Sequence, residues 1–107
     1  MRTLLAGLMV MAAAPVALAL DPAEQRGFTF VDANCSKCHA IGLHGASRLA
    51  EAPPFRTLHL RYPIEDLAKP LAEGIVVNHP TMPQFRLDAA QINDVMAYLK
   101  TLEKPAE

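Results

Sequence analysis

Residues 34–40 read Asn-Cys-Ser-Lys-Cys-His-Ala and contain both cysteines of the chain, Cys35 and Cys38, with His39 directly after the second. Cysteines at i and i+3 lie about one helical turn apart. Four chemistries compete for two thiols and an imidazole at this spacing. A disulfide would close so small a loop that it would stabilise little. A thioredoxin-like dithiol needs the motif between a strand and a helix, whereas the residues before Cys35 read as helical. Zinc needs four ligands, and the chain offers neither a second cysteine pair nor a spaced histidine pair. Covalent attachment of haem gives every residue a task. Two thiols a helical turn apart can add to the two vinyl groups along one porphyrin edge, and His39 can turn its imidazole under the ring to the iron.

The rest of the chain must supply a frame for this motif. After Met1-Arg2-Thr3, residues Leu4 to Leu20 carry no charge and close on Ala17-Leu18-Ala19. That profile predicts a signal peptide over residues 1–19, cleaved after Ala19, and export to the periplasm. The competing possibility keeps the segment as a single transmembrane helix. No cysteine stands at the cleavage point, which argues against a lipid anchor there. Residues 20–107 then form one small domain whose polypeptide core alone would be marginal, so a bulky cofactor would complete it. Lys and Arg number 10 against 11 Asp and Glu. With signs scattered and no basic stripe, nucleic acid is not an expected partner, and after signal cleavage no stable membrane insertion is expected.

Asp21-Pro22-Ala23-Glu24 has the form of a helix start, with Asp21 as N-cap, Pro22 at the first helical position and Glu24 completing a capping-box-like pattern. This helix should run to the Cys35 region. Gly27 in its interior costs about 1 kcal/mol relative to alanine and calls for a reason, most simply the close approach of another helix. Gly42 to Phe55 reads as an irregular loop. Pro63 opens a short helix with Ile64, Leu67, Ala68 and Leu71 on one face and Gly74 as its stop, kinked or divided by Pro70. His79 to Phe85 is a second loop. Asp88 and Gln91 cap a final helix with an apolar stripe of Ile92, Val95, Met96 and Leu99, leaving Asp94, Lys100 and Glu103 toward water. No segment alternates as a strand. The fold class is all-α, with three to five short helices and long loops.

These features together resemble the class I c-type cytochromes, in particular the small bacterial periplasmic single-haem type. The resemblance is carried by the Gly27 helix leading to Cys-Ser-Lys-Cys-His, by Ala52-Pro53-Pro54-Phe55, by His79-Pro80-Thr81-Met82-Pro83-Gln84-Phe85 and by the helix Ile92 to Leu102. It implies the cytochrome c fold around one covalently attached haem c, bound through Cys35 and Cys38, with His39 as an axial iron ligand. Within residues 20–107 the side chains able to fill the second axial position are His44, His59, His79, Met82 and Met96. Taken alone, Met82 reads as a methionine capping the core from a turn. With the haem motif upstream and the Met-Pro loop of the family, the resemblance implies that Met82 is the ligand, with His79 as runner-up. Pro80 and Pro83 would stiffen its loop in advance.

The resemblance further implies that Pro53 offers its carbonyl to the ring N–H of His39, with Pro54 as a shifted alternative, and that Phe55 packs on the haem face. Gly27 and Val31 would cross the last helix at Tyr98, although many relatives carry an aromatic residue where this chain has Val31. Arg56 and Arg61 are candidates for pairing with the haem propionates, and equally for ordinary surface charges. The implied function is electron carriage between redox partner proteins, a dehydrogenase, oxidase or reductase, and not enzymatic catalysis. The rival is a haem enzyme or gas-binding sensor with an open sixth iron position. A dedicated small subunit of a dehydrogenase complex would have the same chemistry at iron.

Overall fold

A computed structural model describes residues 3–11, 20–75 and 81–103. Among these residues the chain is helical and contains no strand. Three α-helices, α1 (Pro22–Asn34), α2 (Ala68–Glu73) and α3 (Ala89–Thr101), are joined through loops and two 3₁₀ helices, Phe55–Leu60 and Ile64–Leu67. The all-α expectation therefore stands. The proposed cleavage point and residues 12–19 lie outside the described residues, as do His79 and Pro80.

Both long helices begin where the sequence places them. Asp21 accepts the backbone N–H of Glu24 at 2.9 Å, with Pro22 at the start of α1. At α3 the capping box closes in both directions: Asp88 accepts from Gln91 N–H at 2.8 Å, and Gln91 Oε1 accepts from Asp88 N–H at 3.0 Å. These bonds satisfy N–H groups that the first helical turn leaves without carbonyl partners.

α1 and α3 cross at Gly27. A Cβ added there would run into the Asp94 carbonyl and stand 2.8 Å from Tyr98 Cβ, so only glycine admits this approach. The crossing is bracketed on one side by Arg26, whose Nε and Nη2 donate to the two carboxylate oxygens of Asp94 at 3.0 and 3.1 Å. On the other side Phe28 meets Tyr98 edge to face, with ring centroids 5.5 Å apart. Asp94 thus departs from expectation: its side chain is only 15% exposed and binds α1 instead of facing water. Lys100 and Glu103 are exposed.

The second departure is Phe55–Leu60, which forms a 3₁₀ helix where the loop was expected to end. Thr57 starts it by binding the Pro54 carbonyl twice, through its N–H at 3.0 Å and its hydroxyl at 2.7 Å. Further on, the segment around Pro70 divides into two pieces, a 3₁₀ turn to Leu67 followed by α2. Pro70 falls in the first turn of α2, where its missing N–H costs least. Gly74, at φ 101°, stops α2 in a conformation that other residues adopt only with strain. The core joins Val31 of α1 to Leu58, Ile64 and Leu87, and to Val95, Tyr98, Leu99 and Leu102 at the C-terminal end.

Candidate functional site

The Cys35–His39 segment continues α1 as a series of turns. Cys35 N–H and Ser36 N–H both reach the Val31 carbonyl, at 2.8 and 3.1 Å, and the carbonyl of Cys35 accepts from Cys38 N–H at 3.2 Å and His39 N–H at 2.9 Å. This winding holds the two cysteines one turn apart. Both are free thiols, and both border the same cavity. Burial pushes the Cys35 thiol up to about 11, so it stays protonated at neutral pH.

His39 is fixed from several directions. Its Nδ1 lies 2.8 Å from the carbonyl oxygen of Pro53, and Phe55 packs on the ring with centroids 4.8 Å apart. A carbonyl oxygen can only accept, so Nδ1 carries the proton and the neutral ring keeps its lone pair on Nε2, the atom free to bind a metal. It is Pro53, not Pro54, that faces the imidazole; Pro54 is committed to Thr57.

The backbone around the imidazole is tied at each step. Cys38 O accepts Leu49 N–H at 3.1 Å, Ala40 N–H donates to Ser47 Oγ at 2.9 Å, Ala40 O accepts Phe55 N–H at 2.9 Å and Ile41 O accepts the Tyr98 hydroxyl at 2.6 Å. None of these four ties was anticipated from the sequence. Ser47 and Leu49 sit in an aperiodic loop, and Tyr98 drew attention only for its place at the helix crossing.

Cys35, Cys38, His39, Pro53, Phe55 and Met82 all border one cavity of about 190 Å³, whose remaining wall is almost wholly apolar and includes Phe30, Leu58 and Leu99. Folded interiors leave few voids larger than one water molecule, so a space of this size between the helices is where a core group belongs. Met96 packs against the core and, like His44 and His59, does not border the cavity. His44 is exposed and His59 half-buried in the first 3₁₀ helix.

Of the two arginines, Arg61 is exposed and Arg56 half-buried. Nη1 of Arg56 is shielded from solvent and has no hydrogen-bond partner among the described residues. Two phenols near this framework are shifted. Tyr98 is raised by burial and then by the charge of Asp32; Tyr62, which borders the cavity, is raised by burial against the opposing pull of Arg61.

The residues bordering the cavity suit an apolar macrocycle carrying a metal: free thiols in register, an imidazole with its Nε2 lone pair available, a thioether and greasy walls. Comparison with protein families agrees. The cytochrome c model matches residues 24–103, from α1 to the end of α3, and the chain belongs to the cytochrome c family. Its cofactor is accordingly one covalently attached haem c, and its chemistry is haem-based electron transfer. No curated protein and no solved structure gives a match to the chain.

Proposed function

We propose that the chain is a periplasmic single-haem electron carrier whose iron is held between His39 and Met82. Cys35 and Cys38 would form the two thioethers to the haem. His39 would give its Nε2 lone pair, with Nδ1–H held on Pro53 so that the imidazole cannot rotate and donates more strongly. Met82 would fill the remaining axial position with a neutral sulfur, which favours the reduced metal and raises the potential relative to a second histidine. Bound in this cavity, haem c supplies a one-electron Fe(III)/Fe(II) couple. With His39 and Met82 both holding the iron, no position on it would be left open for substrate, which suits carriage rather than catalysis.

The observation that carries this proposal is the joint bordering of one cavity by Cys35, Cys38, His39 and Met82, with His39 already locked on the Pro53 carbonyl. Export is supported by the sequence of the leader and by residues 3–11, which form no helix and leave Leu4, Leu5, Leu8 and Met9 almost fully exposed. No helix among the described residues is long and apolar enough to cross a membrane. Encounters with a dehydrogenase, oxidase or reductase partner should be brief and bury little surface.

Intact mass and absorbance of the exported protein test the proposal together. The expected result is a chain beginning at Leu20, one haem retained after denaturation, and in the oxidised form the weak far-red band of methionine-sulfur ligation. A high-spin spectrum with rapid binding of carbon monoxide would assign the protein to gas binding instead. A colourless but well-folded product would overturn the proposal altogether.

A further inference from the structure

We propose that Glu51 sets the charge preference of electron exchange, so that the partner docking over the cavity mouth is a one-electron redox protein presenting a cationic side chain there. The assignment deepens the proposed function and rests on it. Of the residues bordering the cavity, four are exposed and so stand where it meets solvent: Asn34, Glu51, Thr81 and Pro83. Glu51 alone among them is charged, and among the described residues no Lys, Arg or Asp borders the cavity. Residues 76–80, which join Ile75 to Thr81 and lie outside the described residues, contain no Asp, Glu, Lys or Arg. No ion pair of the described residues neutralises the Glu51 carboxylate, since these join Arg26 to Asp94 and Lys100 to Glu65. Arg48 and Arg56, the cations nearest to it in sequence, neither pair with it nor border the cavity.

The backbone holds Glu51 at the mouth. Ala52 N–H closes a turn on the Leu49 carbonyl at 3.0 Å, and Ala52 is itself buried. On one side this turn is tied to the Cys38 carbonyl through Leu49 N–H at 3.1 Å; on the other it leads into Pro53, whose carbonyl holds His39. The carboxylate is thus anchored to two of the residues that would hold the haem. A charge fixed at the rim of a cleft with apolar, low-dielectric walls focuses its field on whatever docks there. It draws in a cation and turns away an anion, and salt weakens both effects.

The test follows, by stopped-flow absorbance, oxidation of the reduced haem-loaded protein by two one-electron oxidants of opposite charge, cationic tris(phenanthroline)cobalt(III) and anionic hexacyanoferrate(III). Each takes one electron from ferrous haem, leaving ferric haem and cobalt(II) or hexacyanoferrate(II). At low ionic strength Glu51→Gln should slow the cationic oxidant and speed the anionic one, each about two- to threefold, and Glu51→Lys should enlarge both shifts. High salt should abolish them. Glu24→Gln, the same change in net charge at the far end of α1, should move both rates far less. The haem's own carboxylates are common to every variant, so the comparison isolates Glu51. A changed potential would move both oxidants in the same direction. Such parallel shifts, unchanged rates, or an equal effect of Glu24→Gln would overturn the role of Glu51 and leave electron carriage standing, whereas a chain that takes up no haem refutes the proposed function and this assignment together.

Discussion

The hydroxyl of Tyr98 donates to the carbonyl oxygen of Ile41 across 2.6 Å, joining the last helix to the loop that leaves the cysteine motif. Fifty-seven positions separate the two residues. The bond therefore acts as a long-range tie between the helix crossing and the segment that carries His39. Tyr98→Phe keeps the ring that Phe28 packs against and removes only the donor, leaving a part-buried carbonyl unsatisfied at a cost of about 1–2 kcal/mol. Chemical unfolding of the haem-loaded protein should show this loss with an unchanged slope.

The same residue predicts an alkaline limb in the stability profile. Burial, and then the charge of Asp32, raise the Tyr98 phenol above its ordinary value. A phenol kept protonated by the fold contributes stability that is fully present below its unfolded pKa of about 10 and is lost as pH rises through the higher folded value. Thermal unfolding followed from neutral pH into that range should decline less steeply in Tyr98→Phe than in the parent. Tyr62, raised for the same leading reason, contributes to the decline that remains. Equal slopes in the two proteins would show that Tyr98 does not titrate with folding.

At the helix crossing, Gly27→Ala should be destabilising even though alanine is the better helix former. Propensity favours alanine by about 1 kcal/mol, whereas overpacking a closed contact costs about 3 kcal/mol, giving a net loss near 2 kcal/mol. The clash is with the Asp94 carbonyl, a backbone atom that cannot rotate away, so α3 itself must shift. By contrast, Arg26→Ala should change stability very little, because the arginine is 61% exposed and water competes for its partner. Unfolding midpoints of the two variants, measured side by side, should therefore separate widely.

Features governed by short-range rules were legible in the sequence. Asp21, Asp88 and Gln91 act as caps because a cap is a relation between residues three apart, and the Cys35–Cys38–His39 constellation is set within one turn of chain. Gly27 announced a close contact because glycine inside a helix is otherwise unfavourable. The partner of Asp94 was hidden, since its position on α3 suggested solvent and only the approach of α1 brings Arg26 to it. The 3₁₀ helix at Phe55–Leu60 was hidden for another reason: its start depends on Thr57 binding Pro54 twice, and six residues at a three-residue repeat leave no helical periodicity to detect.

Met82 is the site residue whose role is most open to direct trial. It borders the cavity from the loop between α2 and α3, a loop tied at its far end by Leu87 N–H on the Leu71 carbonyl at 2.8 Å and by the Asp88 capping box. With this end anchored, removing the sulfur should leave the rest of the fold in place. Met82→Ala should keep the covalently attached haem, since neither thiol nor His39 is touched, but should lose the far-red band of the oxidised protein. The vacated axial position should then bind added imidazole or carbon monoxide, and the midpoint potential should fall because the ligand that favoured reduced iron has gone. His39→Ala, in contrast, should yield little stable haem-loaded protein. If Met82→Ala retained the parent spectrum and potential, the sixth ligand would have to be sought elsewhere, and His79 would be the first residue to substitute.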